Sequence, residues 1–319
     1  TSRGLGDVYK RQHVSCPQLV DNPVDNSQGS LFRTLGYPRS ARTSAHLKTQ
    51  PFRNCCNLAP MAKTQCLARI REVRHDIPHV ISIDFGPCGM PPITSVDDHV
   101  KIVLPADSSD LRQPVRDDAA LPLLRTYTRR RWFEDGSWGI DVLQFGPESG
   151  TEAHRGPGTQ WSQAVQPGDQ VAVRGPGGHW QTPDDICHLL AVADAVALPA
   201  VANTLATLPI SARATIVRVN SHHDYPLPLT DRVTVVTAPR DPDGIVATVQ
   251  GLDLPQNTHA FVHGEAAMVR PMRRHLRLER GLPRDRIHLS AYWFAGRDAD
   301  GWRAIKQDFN RSMDAESGD

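Results

Sequence analysis

Short stretches in which apolar and polar residues alternate dominate the chain from residue 61 to residue 180. Alternation of this kind predicts half-buried β-strands, and turn residues such as Pro167-Gly168-Asp169 separate them. Several short strands with regular turn signals predict a closed antiparallel barrel. The predicted strands span Leu67–Val73, His79–Phe85, His99–Leu104, Leu123–Arg129, Gly139–Phe145 and Gln170–Arg174.

From residue 181 the pattern changes to apolar strands that alternate with helical segments. Ile186–Ala193 is apolar without clean alternation, as in a parallel strand that is covered on both faces. Alternating strands and helices predict a doubly wound parallel sheet. Its predicted strands are Ile186–Ala193, Ala214–Val219, Val233–Thr237, His259–His263 and Ile287–Tyr292. One predicted helix begins near Leu198, a second spans Ile245–Leu252 and a third spans Ala266–Arg280. Pro271 should kink the third helix.

The ends of the chain lack these patterns. Residues 1–60 show no sustained hydrophobic period and hold 8 Lys/Arg against 3 Asp/Glu, so we expect a disordered or non-native leader and a natural start at Met61. Residues 312–319 are polar and predict a frayed tail. We therefore predict a barrel domain over residues 61–180 and an α/β domain over residues 181–311.

Composition narrows the classes of partner. Lys and Arg number 36 against 35 Asp and Glu, so the chain carries no charge excess that would favour a nucleic acid. No apolar run approaches the ~18 residues of a membrane span, and no signal peptide is visible. Six cysteines without a Cys-x-x-Cys motif indicate reduced thiols. We expect a cytoplasmic protein that works as a monomer and has no metal site of its own.

The strand Leu123–Arg129 carries the most suggestive chemistry. Arg125 and Tyr127 point to one face of a strand, and Thr128 points to the other. A ring, a hydroxyl and a guanidinium together suit a flat aromatic cofactor with a diphosphate tail. The alternative is a basic edge strand whose arginines are solvated.

A series of motifs in a fixed order decides between these interpretations. The chain from about Cys66 to Arg297 resembles the siderophore-interacting protein family of FAD-dependent ferric-siderophore reductases, which have a ferredoxin-reductase-like fold. The matching segments are Asp98–Pro105, Arg125–Thr128, Pro167–Asp169, Gly175–Gly178, Ala197–Ala200, Gly264–Glu265 with Arg270 and Arg273–Leu276, and Tyr292–Trp293.

The resemblance implies an FAD site on the barrel. By that resemblance, Tyr127 stacks on the isoalloxazine and Thr128 hydrogen-bonds near its N5, so these two are the implied catalytic residues. Arg125 holds the diphosphate. A second flavin motif begins a helix whose backbone N–H groups would face the diphosphate; its implied contacts are Gly156, Pro157 and Thr159. A glycine, Gly158, stands where the family usually has alanine.

The resemblance also implies NADPH or NADH as the electron donor. Arg240 stands where the family often has an arginine that meets a 2′-phosphate, which favours NADPH; the alternative is a solvated loop residue. Ala195 and Val196 replace a Glu and a Thr of the family pattern, which removes two polar side chains from the nicotinamide loop. The remaining implied contacts are Asp194, Gly264, Glu265 and Trp293.

These implications define a ferric-siderophore reductase. NAD(P)H would pass a hydride to the flavin, and Fe(III) of the chelate would receive electrons singly and leave as Fe(II). Two alternatives stay open at this stage. One is a flavin reductase of the same fold that serves another electron acceptor, and the other is a non-catalytic protein that binds flavin or chelate.

Overall fold

The computed structural model describes residues 65–106, 110–112, 114–115, 121–145, 156–221 and 223–318. The expected leader and the expected start at Met61 lie outside these residues. Within them the predicted order of elements is confirmed: an antiparallel barrel comes first and a parallel sheet with helices follows.

Six strands close the barrel in the order β1-β2-β5-β4-β3-β6. The first strand runs four residues past its predicted end at Val73, because His79 adopts a positive φ of 58° and forms the turn that joins it to the second. A helix, α1, spans Pro157–Ala164 between the last two strands. The strands are β1 Gln65–Ile77, β2 Val80–Phe85, β3 His99–Leu104, β4 Leu123–Trp132, β5 Trp138–Leu143 and β6 Gln170–Gly177.

Large rings fill the barrel and fix α1 against it. Phe85 and Trp138 lie opposite each other on paired strands and stack with ring centroids 4.2 Å apart. Trp161 of α1 is fully buried in the same core. Burial of an aromatic side chain removes 150–250 Å² from water, so Trp161 anchors the short helix and with it the glycine-rich segment at its start.

Five strands form the predicted parallel sheet, and their order in it is β11-β10-β7-β8-β9. All six residues of the central strand β7 are buried, which explains why its sequence lacks alternation. The carboxyl ends of all five strands meet at one edge, where ligands of such sheets bind. The elements are β7 His188–Ala193, α2 Leu198–Thr207, β8 Arg213–Val219, β9 Val233–Ala238, α3 Pro242–Gln250, β10 Thr258–Glu265, α4 Ala266–Arg274, β11 Ile287–Trp293 and α5 Ala299–Ser317.

The strand β4 joins the barrel to the sheet. Arg129 is fully buried and donates to both carboxylate oxygens of Asp98, at 2.6 and 2.7 Å. Asn203 of α2 donates to the carbonyl of Arg129 at 2.9 Å and accepts from the guanidinium of Arg130 at 3.2 Å. Because β4 pairs with β3 and β5 on its two sides, the alternative of a solvated edge strand is wrong.

The prediction of a frayed tail over residues 312–319 is wrong as far as Ser317, which ends the helix α5. The tail looked solvated because its polar residues have partners elsewhere in the chain. Met313 is buried, and the carboxylate of Asp314 lies 2.7 Å from the guanidinium of Arg273 on α4. The helix predicted to run from Ala266 to Arg280 changes after α4 into a π-helical turn, His275–Glu279.

The described residues contain neither a membrane-spanning helix nor a cluster of metal-ligating side chains. Among them, no helix is both long and apolar enough to cross a bilayer. The same part of the chain contains no group of three or more His, Cys, Asp or Glu side chains placed to hold a metal ion.

Asp98→Asn should destabilise the fold strongly, because it leaves Arg129 buried without a counter-charge. Removing one partner of a buried pair costs about 3–5 kcal/mol in the free energy of unfolding. Urea denaturation measures this loss. Asp135→Asn is the matched control, since Asp135 and Arg71 form an exposed pair worth about 0–1 kcal/mol. Equal losses in the two variants would contradict this role for Asp98.

Candidate functional site

The two segments implied to bind FAD meet in space. A methyl group added at Gly158 of α1 would overlap the hydroxyl of Tyr127 and would lie 3.4 Å from Cγ of Arg125. The Tyr127 ring also packs against Trp161, with centroids 6.4 Å apart. The strand β4 and the start of α1 therefore form one surface, although about 30 residues separate them in sequence.

The start of α1 has no side-chain cap. Gly156 is the N-cap residue and makes no side-chain cap, and Pro157 occupies the first turn. Thr159 is buried in that turn. Backbone N–H groups at such a start attract anions, and the helix dipole adds to this attraction.

Arg125 lies beside this surface but already has partners. Its guanidinium donates to the carbonyl of Leu124 at 3.0 Å and lies 3.4 Å from the carboxylate of Asp300 on α5. Arg303 of α5 holds Asp300 at 2.8 Å and also donates to the Leu124 carbonyl at 2.9 Å. A bound diphosphate would compete with Asp300 for Arg125, and no sequence motif links these two residues, which lie 175 positions apart.

Thr128 connects β4 to the end of the parallel sheet. Its side chain lies close enough to the hydroxyl of Tyr292 on β11 to lower the pKa of that hydroxyl, against the larger rise that burial causes. That hydroxyl lies 2.8 Å from Nδ1 of His263 on β10. The residue implied to face flavin N5 is thus in contact with the strand ends implied to face the nicotinamide.

Three of the residues implied to bind the nicotinamide, Asp194, Gly264 and Trp293, lie together at the end of β7. The indole N–H of Trp293 donates to Oδ2 of Asp194 at 2.7 Å, and the backbone N–H groups of Val196 and Ala197 donate to Oδ1. Gly264 has a φ of 142°, and a Cβ there would lie 2.6 Å from Cγ of Asp194, so only glycine fits. Backbone donors therefore hold Asp194 whatever side chains occupy positions 195 and 196.

The charge state of Asp194 is unusual. Burial raises its pKa to about 6, against the opposing hydrogen bonds from Trp293 and from the backbone of Ala197 and Glu265. Glu265 is also the next residue along β10 from Gly264, and its carboxylate accepts from the backbone N–H of Ala295 at 3.3 Å. The carboxylates of Asp194 and Glu265 thus lie near each other, and the charge of Glu265 adds to the rise.

Arg240 lies apart from this group. It follows β9, two strands from β7 in the sheet, and its Nε donates to the carbonyl of Asn220 at 2.9 Å. The residue is exposed. It shares the carboxyl edge of the sheet with Asp194 but has no contact with it, so its part in binding a 2′-phosphate stays a prediction.

Sequence reasoning missed several side chains at this boundary. His263, His288 and Asp97 cluster beside Tyr292, and Asp300 reaches Arg125 from α5. No local motif marks them, because they come from separate segments. Only the pairing of β10 with β11 and the return of α5 to the barrel bring them together.

A closed antiparallel barrel followed by a parallel sheet is the ferredoxin-reductase-like fold. The chain shares it with the ferredoxin reductase of carbazole 1,9a-dioxygenase, at 17% identity and a TM-score of 0.53 over 72% of this chain and 67% of that chain. The sequence model of one protein family, the siderophore-interacting FAD-binding domain, matches residues 70–180. The sequence model of a second, the siderophore-interacting protein, matches residues 187–296. The chain belongs to the siderophore-interacting protein family.

Individual proteins show the same similarity. The ferric vibriobactin reductase ViuB of Vibrio cholerae is 28% identical over 228 residues, which cover 64% of this chain and 79% of ViuB. The NADPH-dependent ferric-chelate reductase of Escherichia coli is 29% identical over 142 residues, 42% of this chain and 55% of that protein. The structure of the siderophore-interacting protein SipS from Aeromonas hydrophila superposes with a TM-score of 0.64 and 27% identity, covering 79% of this chain and 99% of SipS.

The residues present fit an FAD molecule. Gly158 leaves room for the Tyr127 hydroxyl at a helix start without a side-chain cap, and Arg125 adjoins the same surface. Arg125 and the start of α1 would hold the diphosphate, while Tyr127 and Thr128 would face the ring system. When bound, FAD supplies the step between two-electron and one-electron transfer.

Gly158→Ala should weaken FAD binding, because the added methyl displaces the Tyr127 hydroxyl. Overpacking of this kind costs about 1–3 kcal/mol, and about 1.4 kcal/mol corresponds to a tenfold rise in Kd. Titration of the cofactor-free protein with FAD, followed by flavin fluorescence, measures the change. Gly251→Ala, where the methyl would meet nothing closer than 3.6 Å, should leave the Kd unaltered. Unchanged affinity in Gly158→Ala would contradict the proposed contact.

The indole N–H proton of Trp293 should report the ionisation of Asp194. In the folded protein Asp194 ionises near pH 6, against 3.8 ordinarily, so the folded state binds its proton more tightly. The carboxyl group therefore contributes less stability as pH rises through this window. The Trp293 resonance should shift with a midpoint near pH 6 in an NMR titration, and Asp194→Asn should abolish the shift. A midpoint near pH 4 would contradict the raised pKa.

Proposed function

We propose that this protein is an FAD-dependent reductase of ferric siderophores that takes its electrons from NADPH. The position of β4 carries the proposal: its Tyr127 adjoins the start of α1, and its Thr128 contacts Tyr292 at the end of β11. A flavin held on β4 would therefore face the strand ends where the nicotinamide of the donor binds. The relatives named for ferric vibriobactin and ferric-chelate reduction support this substrate class.

The chain's own residues position the reactants. Tyr127 and Thr128 orient the flavin ring, and Arg125 neutralises the diphosphate. Asp194, Gly264 and Trp293 shape the loop that receives the nicotinamide. Fe(III) in its chelate is the substrate and accepts electrons one at a time, so the protein needs no iron ligands of its own.

The proposal extends to organisation and location. We place the FAD-binding domain at residues 61–180 and the NAD(P)H-binding domain at residues 181–311, a division that the two matched family ranges support. Since α5 continues to Ser317 and packs on α4, the second domain includes residues 312–317 as well. We further propose that the protein acts as a monomer in the cytoplasm.

An absorption experiment on the full chain tests the function. The flavin absorbance of the protein reconstituted with FAD should fall when NADPH is added anaerobically. It should recover when a ferric siderophore is added, and a ferrous-specific chelator should detect the Fe(II) that is released. Recovery only with another acceptor would indicate a different reductase. A flavin that neither NADPH nor NADH reduces would favour a binding role.

Arg125→Ala should lose FAD affinity, since a hydrogen bond to a charged group contributes about 1.5–3 kcal/mol. Arg112→Ala is the matched control, because Arg112 pairs with Asp169 elsewhere on the barrel. Equilibrium dialysis with FAD gives the Kd of each variant. Similar losses in both, or none in either, would remove Arg125 from the diphosphate site.

A further inference from the structure

Buried imidazole groups lie at the boundary between barrel and sheet, and the proposed electron transfer uses none of them. His263 on β10 is fully buried, with Nδ1 2.8 Å from the hydroxyl of Tyr292. Its Nε2 is buried and has no hydrogen-bond partner among the described residues. Since buried polar atoms are almost always paired, an unpaired one on a titratable ring calls for an explanation.

His288 on the edge strand β11 continues the arrangement outward. Its ring centroid lies 4.8 Å from that of His263, and its Nε2 lies 3.3 Å from Oδ2 of Asp97. Like Nε2 of His263, this nitrogen has no hydrogen-bond partner among the described residues. The other carboxylate oxygen of Asp97 accepts from the backbone N–H groups of His179 and Trp180 at 3.0 and 2.9 Å. These two donors fix the carboxylate beside the ring of His288.

The outer end of this series reaches water. His288 lines a cavity of about 280 Å³ at the edge of the sheet, and the exposed residues His179 and Asn310 line it as well. Lys306 and Arg277 also line it, so the cavity is basic. His288 therefore lies between the buried ring of His263 and this cavity.

We propose that Tyr292, His263 and His288 form a proton path from the redox-active edge of the bound flavin to Asp97 and the surface cavity. The path rests on the proposed function, because oxidation of the flavin by ferric iron releases a proton. Oxidation of the reduced flavin by two ferric ions balances as FADH⁻ + 2 Fe(III) → FAD + 2 Fe(II) + H⁺. One proton per cycle must therefore leave the flavin, and Thr128 and Tyr292 stand at the start of the proposed path.

The groups along the path have suitable protonation states. Burial lowers the pKa of His263 well below its ordinary value, and His288 lowers it further. A neutral imidazole has one donor and one acceptor nitrogen, so it can accept a proton from Tyr292 while it releases another. Burial raises the pKa of Tyr292, which keeps its hydroxyl protonated. The other charged groups that act on His263 are Asp97, His99 and Lys306.

Two variants interrupt the proposed path at different residues. Tyr292→Phe removes the hydroxyl, and His263→Gln removes the imidazole. Tyr225→Phe and His188→Gln are the matched controls: Tyr225 bonds to Asp141, and His188 bonds to threonine hydroxyls at the opposite end of the sheet.

Stopped-flow oxidation of the reduced, FAD-loaded protein, with a pH-indicator dye present, follows electrons and protons separately. Ferricyanide and a ferric siderophore serve as alternative oxidants, since both leave the same proton on the protein. Proton release in Tyr292→Phe and His263→Gln should slow roughly 10-fold or more, with a larger solvent isotope effect, while both controls behave as the wild type. Equal release rates in all five proteins would overturn the path.

The outcomes separate the path from the proposed function. If ferricyanide oxidises the flavin and a ferric siderophore does not, the proposed substrate is wrong. The rate of proton release during oxidation by ferricyanide then still tests the path. If the wild type binds no FAD, both proposals fail.

A readout on the cofactor-free protein tests the first link independently. Imidazole ¹⁵N NMR should show that Tyr292→Phe shifts Nδ1 of His263 and leaves His188 unaffected. If His263 does not respond, its bond to Tyr292 is absent and the path is wrong.

Discussion

The buried ion pair between Arg129 and Asp98 is the contact on which both halves of the molecule depend. Its charges are removed from water and compensate each other through two hydrogen bonds, so neither side chain can move without exposing the other. The guanidinium of Arg129 also donates to the carbonyl of Pro91 at 2.9 Å, and the backbone carbonyl of Arg129 accepts a hydrogen bond from the side chain of Asn203 on α2. One residue of β4 thereby fixes a loop, a neighbouring strand and a helix of the second sheet.

The site follows from that constraint. The residues of β4 that precede Arg129 have no freedom to slide, so Tyr127 stays against Gly158 and Thr128 stays against Tyr292. Precise placement matters for a cofactor that must receive electrons on one side and deliver them on another, because small displacements of reacting groups cost large factors in rate. A rigid strand shared by two domains supplies this placement more reliably than a loop would.

Local pattern predicted most of the fold, while the roles of the candidate site residues stay predictions. Alternation located the barrel strands, and the solid apolar run of β7 marked a parallel sheet, because each pattern reports burial on one or both faces. The motifs on β4 and α1 were visible because they are contiguous in sequence. The helix α5 was not predicted at all, since Asp314 and Glu316 are polar and their partners, Arg273 and Arg270, lie about 40 residues away. His263 and Asp97 were missed for the same reason: their partners depend on which strands become neighbours.

The return of α5 to the barrel has a consequence for the order of folding during translation. Every other described element leaves the ribosome before α5 does. Until then the nascent chain exposes the apolar surface that Trp302 and Met313 later cover, and Arg125 has no contact with Asp300. Arg125 therefore has no internal competitor for a diphosphate until α5 has folded onto the barrel.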